Sequence, residues 1–420
     1  MLFPATDFSD FRPGDFSYVG SNIPAVSVTS PQATSALTDA SRPTGGGWLV
    51  QREQAFELAA RAPFPTVDLE EWRYSRIGEL SLGDFSPAPT PTTIEGGTGA
   101  TIRTLGRGLD VATPEVELAP TADDDLFGLL NLAHMDVVLV EIPAGRVVAE
   151  PIVITHRLDG AGRAFFPRLV IRAGRNSEVT VIERFVSSDG VRLLVVPVLD
   201  LRAEQAARVR YVAVNQLGDA AWQIGHQGSV GERDSDSLLA SVALGGDYAR
   251  TSTAARLIGV GGNTRQVALY FAGDSQMHDF RTLQDHVAPR TTSDLLFKGA
   301  VQDTAKSVYT GLIRIGKEAK GSTAYQTNRN LTLSQGAWAE SVPNLDIENN
   351  DVKCSHASTV GPIDDDQLFY LESRGVKPDV AQRLVVLGFF DEVLAQLPVG
   401  DLARELREQV SAKLAIGASR

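Results

Sequence analysis

A chain of 420 residues with a formal charge of −13 and an isoelectric point near 5.0 is poorly matched to nucleic acid or an anionic membrane. Its single cysteine excludes an internal disulfide and any self-contained metal site built on several thiolates, which suits a reducing compartment. Met1–Asp7 shows no basic start followed by an apolar core, and no apolar run approaches the roughly 18 residues of a membrane span. A soluble, cytoplasmic chain without a signal peptide is expected.

Residues 1–45 are rich in Pro, Ser, Thr, Asp and Gly without periodicity and read as an irregular arm. Residues 46–120 read as an N-terminal helical region and linker. A helix is expected from Trp48 to Arg61, with Val50, Gln54, Phe56, Leu58 and Ala59 as its stripe and Pro63 and Pro65 ending it. A second short helix is expected from Leu69 to Ile77, then a Pro/Thr/Gly-rich linker from Gly83 to Gly99.

Residues 121–350 behave differently. Short β-branched runs follow one another at Val137–Ile142, Ile152–Thr155, Leu169–Ile171, Val179–Ile182, Leu193–Leu201 and Val209–Val214. More come at Leu238–Leu244, Arg256–Val260, Gln266–Phe271, Ser307–Ile315 and Asn330–Leu333, with Gly, Asn and Asp between them. Helical periodicity is nearly absent. Some runs are continuously apolar and others alternate, which suits either a β-sandwich or a parallel β-helix. The stretch has no internal break and exceeds what one sandwich needs, so stacking is preferred, although the repeat is too blurred to count.

Residues 351–420 turn helical. Asp364-Asp365-Asp366-Gln367 opens a first helix and Gly375 sits where a left-handed C-terminal glycine belongs. Pro378 opens a second, with Val380, Leu384, Leu387, Phe390, Val393 and Leu394 on one face, and a third spans Asp401 to about Leu414. These helices can cap a solenoid, offer a docking face, or do both.

Gly311 to Lys317 imitates a phosphate loop, but Glu318 stands where Ser or Thr would meet magnesium, and Leu312–Ile315 alternates like a strand. No nucleotide site is expected. His278 and His286, eight residues apart, can share one wall of a β-helix, and buried hydrogen-bonded histidines are the simplest reading of both. No Gly-x-Ser-x-Gly elbow occurs. A lyase or glycosidase on a β-helix remains the competing enzyme class, and it would need clustered carboxylates.

Cys354-Ser355-His356 is the segment that most suggests chemistry. On an extended strand residues i and i+2 point to one side, ~6.5 Å apart, and sulfur with imidazole suits iron–sulfur chemistry or zinc. An iron–sulfur cluster usually takes about four ligands, so this pair cannot complete one alone. A buried structural cysteine beside a polar histidine is the alternative.

Three patches together resemble one family. They are Arg52, Ala55, Phe56, Pro63, Pro65 and Glu71-Trp72-Arg73-Tyr74; then Asp285-His286-Val287-Ala288-Pro289 with Ser293 and Lys298-Gly299; then Asp351 to Ala357 with Asp366 to Leu371 and Ser373-Arg374-Gly375. The chain is similar to the SufB/SufD family of iron–sulfur cluster assembly proteins, its SufD branch most closely. That resemblance implies a mainly β fold: a right-handed parallel β-helix core flanked by an N-terminal helical region and a C-terminal helical domain. It implies a non-catalytic scaffold that pairs with a SufB-like subunit through the β-helix and docks a SufC-like ATPase, with Asp365, Asp366, Phe369, Tyr370 and Arg374 as the docking residues. It further implies a transient iron–sulfur cluster shared with the SufB partner, with His356 and its neighbour Cys354 as metal-site residues. Some complexes of this family also bind reduced flavin, though no segment here identifies a flavin site. A homodimer of the isolated chain is compatible with all of this.

Overall fold

The computed structural model describes Leu37, residues 48–105 and residues 125–417; apart from Leu37, the arm expected over 1–45 lies outside the described residues. The core is a β-solenoid of eight turns made of two parallel sheets. The first sheet stacks Asp136–Ile142, Pro167–Ala173, Val198–Ala203, Trp222–Gly231, Tyr248–Leu257, Met277–His286, Lys306–Ile315 and Trp338–Ile347. The second stacks Ile152–Arg157, Glu178–Val186, Arg208–Gln216, Asp236–Ala243, Asn263–Ala272, Thr292–Val301, Thr323–Thr332 and Lys353–Gly361. Each rung takes one strand from each sheet in that order.

The repeat blurred in sequence is sharp in the backbone. Between first-sheet and second-sheet strands the chain turns through a left-handed residue: Gly145, Asn176, Ala206, Asp234, Gly261, Arg290 and Gly321, with φ from 54 to 76°. Each of these N–H groups donates to a carbonyl of the next rung, as Ala206 does to Arg233 and Arg290 to Lys320. Only three of the seven are glycine, so the conformation recurs while the residue type does not.

The lumen changes character along the axis. One inward column reads Val140, Ile171, Leu201, then Ser229, Ala255 and Gln284. Its neighbour reads Val138, Leu169, Leu199, then Gln227, Thr253 and Thr282. The first three rungs are thus aliphatic and dry, and the later ones are lined by amides and hydroxyls that bond to one another, as Thr253 does to Gln227 and Thr282 to Tyr309. Where the two regimes meet, Glu183, Asn215, Gln223 and Gln227 line a cavity of about 20 Å³, room for one water. His278 and His286 both point inward on one strand, as their spacing suggests.

The two outer faces are covered by different ends of the chain. Helices α1 (Leu49–Ala59) and α2 (Leu126–His134) pack with Trp72 and Phe85 on the first sheet, against Phe166, Val196, Trp222 and Tyr248. Of the stripe expected on α1, Phe56 and Ala59 are buried, but Val50 and Leu58 face outward; the inner face is completed by Ala55 and by Arg52, which donates to the Ala133 carbonyl. α2 is not among the helices expected from the sequence. No helix forms from Leu69 to Ile77. Two 3₁₀ turns stand there instead, Glu70–Trp72 and Ile77–Glu79, with Tyr74 left-handed between them. The cause is tertiary: buried Arg250 takes the Glu71 carbonyl and Arg281 the Arg73 carbonyl, so neither is free for a helical bond. The expected linker Gly83–Gly99 contains the strand Thr92–Glu95.

Past the solenoid come α3 (Asp365–Ser373), α4 (Pro378–Leu394) and α5 (Gly400–Gly417). α4 and α5 do not cap the end. They lie along the outer face of the second sheet, against Val212, Val242, Val267 and Leu269. Arg184 grips Glu405 with two bonds of 2.7 Å, and Lys413 donates to the Leu244 and Phe271 carbonyls. Leu384, expected on the buried face of α4, is exposed; Val386 and Ala381 are buried instead.

The run Leu193–Leu201 is broken at Pro197 into Leu193–Val195 and Val198–Ala203, since proline cannot donate to the ladder. Val260, expected as a strand end, falls in a turn. The solenoid also continues past the boundary expected at 350, because Lys353–Gly361 pairs in parallel with Thr323–Thr332.

Candidate functional site

The eighth rung is where the segment singled out in sequence meets an open sheet. At the other end both edges are covered: Thr101–Leu105 pairs antiparallel with the first strand of one sheet, and Thr92–Glu95 with the first strand of the other. Nothing among the described residues pairs with the outer edges of Trp338–Ile347 and Lys353–Gly361. Pro343 lies inside the first of these strands, a residue that tolerates an edge and not an interior position.

Register decides where the side chains point. Ala324, Gln326, Asn328 and Asn330 are buried in the lumen, and they pair with Cys354, His356, Ser358 and Val360. Cys354 and His356 therefore face the lumen together, at its open mouth. Across from them Leu345 and Ile347 continue the inward columns of Ile313 and Ile315. Lacking a ninth rung, these apolar groups stay uncovered: Leu345 is 37% exposed, Ile347 42% and Val360 42%.

The two members of the motif differ in surroundings. Cys354 is half-buried beside Ile313, Ile315, Ala324 and Val352, and that burial pushes its thiol above the ordinary value and keeps it protonated. His356 is exposed. Among the described residues no group of three or more His, Cys, Asp or Glu is arranged to hold a metal ion.

Just beyond the rung, Ile363 anchors the chain and α3 begins. Asp364 caps it by accepting from the Asp366 N–H, and Gly375, at φ 86°, ends it with Val376 N–H bonded to the Leu371 carbonyl. Asp365, Asp366, Phe369, Tyr370 and Arg374 all lie on or at the end of this helix and all are exposed, with Arg374 over the Tyr370 ring. Not one residue of α3 is buried, and Phe369 is 72% exposed.

The other motifs resolve differently. Gly311–Ile315, the phosphate-loop lookalike, lies within a strand. His286 is buried between Thr291 and Ser293, bonded to both, while His278 donates its Nε2–H to the Gly245 carbonyl. The buried carboxylates are engaged: Asp200 by Arg168, Asp279 by Arg250 and Arg281, Asp285 by Arg256 and Arg314, Glu183 by His156 and Tyr211. None of these is a free member of the open carboxylate pair that glycoside hydrolysis uses.

Residues 156–389, more than half of the chain, match the family described as the SufBD core domain of the SUF system for FeS cluster assembly. The chain belongs to the SufBD family. An iron–sulfur cluster assembly SufBD family protein of Mycobacterium bovis is 32% identical over 93% of this chain and 98% of its own length. The iron–sulfur cluster assembly protein SufD of Escherichia coli is 26% identical over 88% of this chain and 93% of its own. The SufD protein of Bacillus subtilis is 28% identical over 65% and 63%. No helix among the described residues is long and apolar enough to cross a membrane. The open rung itself escaped sequence reasoning, although Pro343 in a β-branched surrounding was a usable sign of an edge.

Proposed function

We propose that this chain is a non-catalytic scaffold subunit of a SufBCD-type assembly, working in the cytoplasm. Its eighth rung pairs with a SufB-like subunit, His356 offers an imidazole to a nascent iron–sulfur cluster shared across that junction, and α3 docks a SufC-like ATPase, to which ATP hydrolysis belongs. The observation that carries the reading is the asymmetry of the solenoid: short antiparallel strands cover the first rung, whereas the rung bearing His356 is itself the edge of both sheets and exposes three lumen hydrophobics for a partner to complete.

Several facts support the rest. A cluster needs about four ligands, and this rung supplies at most two, so the remainder come from another chain. The exposed His356 suits a ligand better than Cys354, whose thiol is held protonated. An exposed aromatic pair on a helix without a buried face suits a docking surface. The chain runs from His356 to α3 through a short connection, so an ATPase pulling on α3 would act directly on the cluster strand.

Co-expression with SufB-like and SufC-like chains tests the assembly, and anaerobic reconstitution followed by spectroscopy tests the site. His356→Ala should assemble normally and mature clusters poorly. Normal maturation by that variant would remove His356 from the ligands. Phe369→Asp with Tyr370→Asp should release the ATPase while leaving the SufB-like partner bound; unchanged ATPase binding would make α3 a passive element.

A further inference from the structure

One rung beneath His356 lies a buried amide with nothing to bond. Gln326 is 1% exposed, and neither its Nε2 nor its Oε1 has a partner. It stands directly in register with His356, and both face the lumen. Neighbouring strands are ~4.8 Å apart; no bond joins the two side chains as they stand, and turning the exposed imidazole down onto the amide would bring them within hydrogen-bonding reach, directly or through one water.

The fold does not demand an amide here. The same inward column reads Leu239, Gln266 and Leu295 in earlier rungs, so leucine fits it as well as an amide, and Gln266 differs from Gln326 in donating its Nε2–H to the Leu283 carbonyl. Room has nevertheless been made for this one: a Cβ on Gly311 would lie 2.2 Å from Gln326 Nε2 and 2.2 Å from the Tyr309 hydroxyl oxygen. Glycine at that point lets the carboxamide extend across the lumen. An unpaired buried amide is costly, whereas leucine would cost nothing, so a partner for it is to be sought, and the side chain above it is an imidazole.

We propose that Gln326 is a positioning residue for His356. With the imidazole turned down, the Gln326 carboxamide oxygen accepts the N–H of the ring nitrogen that faces the lumen. That bond fixes the tautomer and leaves the other ring nitrogen, with its lone pair, directed out of the mouth toward the junction where a metal would be met. This rests on the reading of His356 as a ligand, but the positioning itself exists in the chain alone.

The test uses the full chain with ¹⁵N-labelled histidine, at a pH where the ring is neutral, reading the two ring nitrogen shifts of His356. Wild type should favour one tautomer by about fivefold or more beyond an exposed imidazole, the worth of one ordinary hydrogen bond. Gln326→Met should erase that bias without lowering thermal stability, and Gln326→Glu, which keeps the acceptor oxygen, should restore it. An unbiased ring in wild type, or a bias that survives Gln326→Met, would overturn the proposal, and the wild-type measurement decides even if a variant fails to fold. Cluster maturation by His356→Ala in the assembled complex addresses the ligand reading separately, because the tautomer readout involves no cluster.

Discussion

At the first rung, antiparallel strands cover both sheet edges over a lumen of valine, leucine and isoleucine; at the eighth, both edges are bare over a lumen of amides and hydroxyls. The first arrangement suits a solenoid that ends in water, since short antiparallel strands shield the first rung over a dry core. The second leaves the last rung of the solenoid itself exposed. Specificity accompanies the change: an aliphatic column tolerates register errors that a hydrogen-bonded column of Gln, Thr, Asn and Tyr does not. The open end thus sets His356 over a buried amide, with Leu345, Ile347 and Val360 exposed at the same mouth.

The largest effect is expected on the outer face of the first sheet, at Asp279. Its carboxylate takes Arg250, Arg281 and the Tyr248 hydroxyl, and these arginines also hold the N-terminal strap. Asp279→Ala leaves two buried cations unpaired and should cost about 3–5 kcal/mol in chemical denaturation. Ile171→Ala probes the dry lumen and should cost about 2–5 kcal/mol by the same measurement. A loss below 1 kcal/mol would mean the early rungs are loosely packed.

The polar lumen makes its own prediction through pH. Burial lowers His278 to about 3 and His286 to about 4, from an ordinary 6.5. Between about pH 6.5 and pH 4 the unfolded chain therefore binds more protons than the folded one, and stability falls as pH falls. For His286 alone the loss is on the order of 3 kcal/mol across that window. Urea midpoints should drop from about pH 7 to about pH 5, and His286→Asn should flatten the drop.

Ala206 pays a left-handed φ of 57° that glycine adopts freely, so Ala206→Gly should raise the melting temperature, by about 1 kcal/mol of stability. The smallest stability change belongs to the open end. Leu345→Lys with Ile347→Lys should alter stability by no more than about 0.5 kcal/mol while abolishing capture of a SufB-like partner. Substantial unfolding would show instead that this rung is an internal part of the core.

Legibility followed locality. Val137–Ile142 or Gln266–Phe271 announce themselves because β-branched residues crowd a short run, and α4 because Pro378 opens a periodic apolar face. Met277–His286 carries no such signal because its inward and outward faces are both polar, His278, Thr282 and Gln284 against Asp279, Arg281 and Asp285, and most of their partners lie on other rungs or on the N-terminal strap. The strap from Glu70 to Glu79 was misread as a helix for the same reason. The motif Cys354-Ser355-His356 was legible as a string, whereas its place at an uncovered mouth was not.

What the sequence determined by itself is the chemistry on offer: an acidic chain with one thiol, a long β-rich region, a helical tail, and a Cys-Ser-His segment whose neighbours carry the mark of a family. What only the tertiary structure decided is which neighbours those groups meet. Stacking at a fixed register puts Gln326 under His356 and Ala324 under Cys354, so one residue of the pair stands over an amide and the other in an apolar corner. The reason is physical. A parallel solenoid pairs residues about 30 positions apart through backbone hydrogen bonds, which carry no side-chain signature, so the pairing exists only once the turns have closed.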